Sequence, residues 1–141
     1  MEKNPIIGFQ VDPAQVGYIG HDLQRPECIL AEPDGTLWAA DARGGVARIS
    51  PDGAQEIITQ SFDETFGQAS DDASRFTEGT LPNGLAFAEN GDILISNFGT
   101  DVLEVMARDG ETRLLYDTID GEPIGKVTFV LRDSKNRIWL T

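Results

Sequence analysis

Pro82-Asn83-Gly84-Leu85-Ala86-Phe87-Ala88-Glu89-Asn90-Gly91-Asp92-Ile93-Leu94 decides the fold, because the chain carries it more than once. Its earlier counterpart is Pro26-Glu27-Cys28-Ile29-Leu30-Ala31-Glu32-Pro33-Asp34-Gly35-Thr36-Leu37-Trp38. A third, shorter copy runs from Val127-Thr128-Phe129 to Ile138-Trp139. In this register Glu27, Asn83 and Thr128 are equivalent, each 11 residues before an apolar anchor: Trp38, Leu94 and Trp139. An internal period of this kind identifies a repeat architecture before any single element is assigned.

Each unit reads as short alternating strands divided by turns. Unit one predicts strands near Glu27–Glu32, Thr36–Asp41, Gly45–Ser50 and Glu56–Gln60. Unit two predicts Gly84–Glu89, Asp92–Asn97, Val102–Ala107 and Thr112–Tyr116, and unit three Thr128–Arg132 and Arg137–Thr141. Asp34-Gly35, Asp52-Gly53, Asn90-Gly91 and Asp109-Gly110 supply the positive φ that tight hairpins need. They lack the spaced oxygens and terminal Glu of a calcium loop, so they read as turns. Asn83 and Thr128 are 45 positions apart, which is the period of a propeller blade. Glu27 and Asn83 are 56 apart, and the excess is Phe62 to Thr80, a polar acidic segment read as a loop.

The expected fold is therefore all-β: a partial propeller of about two and a half four-stranded antiparallel blades. The expected division is blade one at about 26–61, the acidic loop at about 62–80, blade two at about 81–117 and the start of blade three at about 126–141. A further strand is expected at Val16–Asp22, and both Trp38 and Trp139 are expected in the blade core. A sheet with two strands exposes an edge of unpaired backbone groups, which opens a route to self-association.

Bulk chemistry narrows the function. The 141 residues carry a net charge of −13, which repels phosphate backbones and favours divalent cations over nucleic acid. No apolar run reaches the length of a membrane span, and no basic-then-apolar leader opens the chain. One cysteine, Cys28, excludes an intrachain disulfide, and a cytoplasmic location is the default expectation. His21 is the single histidine, with no nucleophile triad apparent around it, and Asp71-Asp72 reads as solvated loop.

Arg25-Pro26-Glu27-Cys28-Ile29-Leu30-Ala31, Gly44-Gly45-Val46-Ala47-Arg48-Ile49 with Pro51-Asp52-Gly53, Leu81-Pro82-Asn83-Gly84-Leu85-Ala86-Phe87 and Phe129-Val130-Leu131-Arg132-Asp133-Ser134 come in an order that resembles the SMP-30/gluconolactonase/LRE-like family. The likeness spans roughly residues 10–141. It implies the N-terminal half of a six-bladed ring that hydrolyses a small-molecule lactone with a divalent metal, commonly Ca²⁺, in its channel. It places Glu27 at the family's first metal ligand, with the later Asn and Asp ligands beyond Thr141. Asn83 falls on a channel-lining position of the second blade. Thr128 stands where many members carry a substrate-facing Asn, a departure from the pattern. The expected function is a fragment of a lactone hydrolase, inactive alone. The alternatives are a non-catalytic binding or structural propeller, or a half-propeller that dimerises. The scaffold alone does not choose among them.

Overall fold

The computed structural model describes residues 6–61 and 80–141. Two four-stranded antiparallel sheets dominate it. The first runs β1 (Ile29–Ala31), β2 (Leu37–Asp41), β3 (Gly45–Ile49) and β4 (Gln55–Thr59), each strand beside the next. The second repeats the order with β5 (Pro82–Phe87), β6 (Ile93–Asn97), β7 (Val102–Met106) and β8 (Thr112–Tyr116). A small hairpin, β9 (Thr118–Ile119) and β10 (Glu122–Pro123), leads to a third sheet of β11 (Val130–Arg132) and β12 (Ile138–Leu140). These are the expected blades: two of four strands and a third represented by two, a partial β-propeller.

The blades stack face to face, and the stacking explains the composition of blade two. Its central strands β6 and β7 are buried on both faces. Ile93, Ile95 and Met106 pack with Leu85 against Trp38, Ala40 and Val46 of blade one. Leu94, Leu103, Val105 and Ala86 point the other way, onto Val130 and Leu140 of blade three. A sheet covered on both sides loses its polar face, so its strands read as nearly continuous apolar runs. Each large side chain buried this way contributes about 1.5–3 kcal/mol.

The turns follow one design. Asp34, Asp52, Asn90, Asp109 and Asp133 each accept, through Oδ1, the backbone N–H two residues on. The Asx bond mimics a backbone turn, and Gly35 (φ 94°) and Gly110 (φ 100°) then take conformations that other residues rarely adopt.

Two expectations are corrected, and one element goes beyond them. Val16–Asp22 forms no strand: a 3₁₀ turn at Pro13–Gln15 precedes it, and Gly20 (φ 85°) and Asp22 (φ 48°) interrupt the extended backbone. Side-chain bonds hold it to blade one, with Gln55 Oε1 accepting from His21 N at 3.0 Å and Gln55 Nε2 donating to His21 O at 2.7 Å. Trp139 is 52% exposed where its equivalent Trp38 is 3% exposed, because blade two covers Trp38 and no described residue covers Trp139 in that way. The β9–β10 hairpin was not anticipated, although Asp120-Gly121, at φ 54° and 86°, carries the hairpin signal. Strand ends otherwise fall within two residues of those expected. Nearly all of the acidic loop, with Asp71-Asp72, lies outside the described residues.

Blades two and three approach closely at Gly84. A Cβ there would lie 2.6 Å from Ser96 Oγ, 2.7 Å from Phe129 Cα and 2.9 Å from Val130 N. Two of these are backbone atoms, which cannot rotate aside. Gly84→Ala is expected to destabilise the fold by about 1–3 kcal/mol, the usual range for overpacking, read as a lower urea midpoint with an unchanged slope.

Candidate channel-facing site

The first strands of the three sheets lie side by side, β5 against β1 and β2 on one side and against β11 on the other. They are the inner strands. Glu27 and Thr128 lie two residues before β1 and β11, and Asn83 is the second residue of β5, so all three fall at the N-terminal ends of these strands.

Glu27 lies two residues before β1. Its N–H donates to Arg25 O at 2.7 Å, and Arg25 takes φ 49° to allow it. The Glu27 carboxylate accepts from Arg25 Nη2 at 2.9 Å and Nε at 3.3 Å. Both side chains are nearly half exposed, at 44% and 41%. A solvated pair of this kind is worth at most about 1 kcal/mol, so Glu27 is free to exchange partners.

Asn83 is the extra residue of a β-bulge. Pro82 pairs with Asn97 and Gly84 with Ser96, so Asn83 has no opposite number in β6. Bulges re-aim a side chain out of the pleat and recur beside functional sites. Asn83 is half-buried, and its side chain makes no hydrogen bond to another described residue. Thr128 is exposed and tied to Thr141, its N–H donating to Thr141 O at 2.8 Å and its hydroxyl to the same oxygen at 3.3 Å.

The three offer a carboxylate, an amide oxygen and a hydroxyl, which are hard donors of the kind Ca²⁺ or Mg²⁺ takes. In kind they fit such a cation. In number they are part of a set, since Ca²⁺ takes about six to eight oxygens. No group of three or more His, Cys, Asp or Glu converges among the described residues. Cys28, next to Glu27, is turned away from this chemistry: it is half-buried against the blade core, its Sγ 3.6 Å from Leu85 O.

Sequence reasoning overlooked three groups that hold the inner strands in place. Asp41, fully buried, ends β2, and Asn97 ends β6 at the equivalent point. Asp41 Oδ2 accepts from Gln24 N at 3.1 Å, on the segment entering blade one. Asn97 Oδ1 accepts from Leu81 N at 2.8 Å, on the segment entering blade two. Burial works against the charge on Asp41, but the Arg43 guanidinium and backbone N–H bonds outweigh it and hold its carboxyl below the usual range. The second group is a clasp between blades: Arg108 Nη1 donates to Glu32 Oε1 at 2.6 Å, while Trp38 Nε1 donates to the same oxygen at 2.6 Å. These two bonds hold the Glu32 carboxyl below its ordinary value.

The third is a buried network centred on Glu104 of β7. Gln60 Nε2 of blade one donates to it at 2.7 Å, and Asn97 Nδ2 donates at 2.9 and 3.1 Å. Thr80 joins both amides, its hydroxyl 2.6 Å from Gln60 Oε1 and 2.7 Å from Asn97 Nδ2. Burial pushes the Glu104 carboxyl up, with the amide and Thr100 bonds opposing. A lone Glu inside Val102-Leu103-Glu104-Val105-Met106 was the available signal.

No family model matches the chain, and no curated protein matches it. Solved structures do. One is a catalytically inactive virginiamycin B lyase from Staphylococcus aureus with quinupristin, at 18% identity and TM-score 0.60, covering 87% of this chain and 36% of that one. Another, a streptogramin B lyase, aligns at 20% identity and TM-score 0.56, over 81% and 33% of the two chains. A gluconolactonase from Xanthomonas campestris aligns at 18% identity and TM-score 0.57, over 77% and 31%. At such identities the likeness is one of fold, and this chain spans about a third of the length of each.

Proposed function

We propose that the chain forms the opening blades of a gluconolactonase-like, metal-dependent lactone hydrolase, with Glu27 a ligand of a divalent cation in the channel. The observation that carries this is the recurrence of an oxygen-bearing side chain at one register position of three adjacent inner strands, with Asn83 displaced from the pleat by its bulge. The SMP-30/gluconolactonase-like sequence pattern and the gluconolactonase fold neighbour support the same reading.

A divalent cation held at this end would supply Lewis-acid polarisation of a lactone carbonyl. Glu27 supplies the negative charge that draws the cation, at the cost of its weak bond to Arg25. The Asn83 amide, with no partner among the described residues, offers a donor and an acceptor to a substrate hydroxyl. The Thr128 hydroxyl adds a third polar group to the wall. One carboxylate falls short of a full cation site, so hydrolysis requires ligands from outside these three blades.

Calorimetric titration with CaCl₂ tests the ligand role. An incomplete oxygen site predicts weak binding, with Kd on the order of 10⁻³ M. Glu27→Gln is expected to weaken it about tenfold or more, equivalent to about 1.4 kcal/mol. Arg25→Ala is expected to strengthen it, because the competing guanidinium is gone. Equal affinity in wild type and Glu27→Gln would assign the binding to the diffuse acidic surface and remove Glu27 from the site.

A further inference from the structure

Strand β6 carries one hydroxyl in a run that is otherwise apolar up to its last residue: Ile93-Leu94-Ile95-Ser96-Asn97. Ser96 is fully buried, in a strand covered on both faces. A hydroxyl placed there needs hydrogen-bond partners, and it finds them on one residue of the neighbouring strand. Ser96 Oγ accepts from Gly84 N at 2.9 Å and donates to Gly84 O at 3.3 Å. Gly84 is the residue at which β5 resumes its pairing with β6, directly after Asn83.

A bulge disrupts the ladder, and buried main-chain groups beside it need other partners. One side chain answers for both groups of Gly84, since a hydroxyl is donor and acceptor at once. The two residues are a matched pair: a Cβ on Gly84 would lie 2.6 Å from Ser96 Oγ, in the place the hydroxyl needs. Blade one is built differently. Its equivalents of Gly84 and Ser96 are Cys28 and Ala40, where Ala40 N donates to Cys28 O at 3.0 Å and the methyl side chain offers no hydrogen bond. There the channel-end residue, Glu27, is set by a turn of its own, its N–H on Arg25 O at 2.7 Å.

We propose that Ser96 is a positioning residue for Asn83: its hydroxyl pins Gly84 and so holds Asn83 out of the pleat, toward the channel. Without the hydroxyl, the buried Gly84 N–H loses its acceptor. The extra residue is then free to be drawn back into the ladder, and a one-residue slip sends a strand side chain to the opposite face. Ser96 touches no ligand in this scheme and acts only through Gly84. The proposal rests on the reading above that Asn83 lines the cation-attracting end, but the bulge and the cation are measured separately.

Native-state hydrogen exchange and CaCl₂ titration of the full chain, both followed by NMR, test it. In wild type the Gly84 amide is expected to be protected, and Ca²⁺ is expected to move the Glu27 backbone and Asn83 side-chain amide signals. Ser96→Ala is expected to speed Gly84 exchange about tenfold beyond any change at Ile95 and Leu103. It is expected to abolish the Asn83 response to Ca²⁺ and keep that of Glu27. Ser96→Thr, which keeps the hydroxyl and matches Thr141 at the same register of blade three, is expected to restore both. Ile95→Val loosens the same strand without touching the Ser96–Gly84 bonds and is expected to keep the Asn83 response. A Gly84 amide that exchanges in wild type as fast as in an unfolded peptide overturns the proposal, whether or not Ser96→Ala folds. So does a Ser96→Ala protein whose Gly84 exchange is unchanged, or is sped only as much as Ile95 and Leu103. If Ca²⁺ moves neither Glu27 nor Asn83 in wild type, the cation reading falls, and the exchange comparison still decides the role of Ser96.

Discussion

Glu104→Ala is expected to lose about 3 kcal/mol of folding stability, the cost of a buried cavity lined by polar groups left without partners. Glu104 is fully buried, and so are the groups it satisfies: Asn97 is 0% exposed and Gln60 3%. Without the carboxylate, Gln60 Nε2 has no acceptor among the described residues, and Asn97 Nδ2 keeps only Thr80 Oγ1 among them. The link also joins two blades, since Gln60 follows β4 and Glu104 is in β7. Glu104→Gln preserves the shape, and reorienting the Gln60 amide restores the bonds, so a loss nearer about 1 kcal/mol is expected.

The same residue sets a pH dependence. Burial raises the carboxyl above its unfolded value, so the folded state holds the proton more tightly than the unfolded chain. Its contribution is complete below the unfolded carboxylate range and is lost as pH rises through the folded value. Urea denaturation of wild type from mildly acidic to mildly alkaline pH should show that decline. Glu104→Gln, which has no proton to lose, should lack that component. A decline of equal size in both proteins would place its source elsewhere.

Trp38→Ala is expected to cost about 4 kcal/mol, in the range of large-to-small changes of aromatic residues in a core. Trp38 is 3% exposed and packs between the blades, with the Arg108 guanidinium 4.5 Å and that of Arg48 5.7 Å from its ring centroid. Truncation empties that space and removes the indole N–H from Glu32. Trp139 is the internal control. It repeats the local chemistry, its Nε1 donating to Asp133 Oδ2 at 3.0 Å with Arg137 over the ring at 5.1 Å. Half exposed, Trp139→Ala is expected to cost under about 1 kcal/mol in the isolated chain. Equal losses at the two positions would contradict the burial difference between them.

The contrast between these tryptophans marks the limit of what the sequence discloses. Strand order and turns were legible because their causes are local: Asp or Asn before Gly closes a hairpin whatever surrounds it. The positions of Glu27, Asn83 and Thr128 were legible because the repeat carries them. What was not legible depends on the neighbouring blade. Trp38 and Trp139 are the same letter in the same register, and only the covering sheet separates them. Glu104 reads as one charge in an apolar strand, and its partners Gln60 and Asn97 lie 44 and 7 positions away. The bulge at Asn83 left no mark beyond Gly84, whose need for glycine comes from the backbone of Phe129, 45 residues on. Val16–Asp22 has strand-like letters, yet Gly20 turns it out of extended conformation and against Ile49.

The most direct test of the central claim, that three inner strands bring Glu27, Asn83 and Thr128 to one cation-attracting end, is paramagnetic broadening of backbone amide signals by trace Mn²⁺. Selective loss of the amide signals of residues 27–28, 83–84 and 128–129, reversed by excess Ca²⁺ and abolished by Glu27→Gln, is the predicted result. Broadening spread over the acidic turns at Asp34, Asp52 and Asp109, and unchanged in Glu27→Gln, would contradict it.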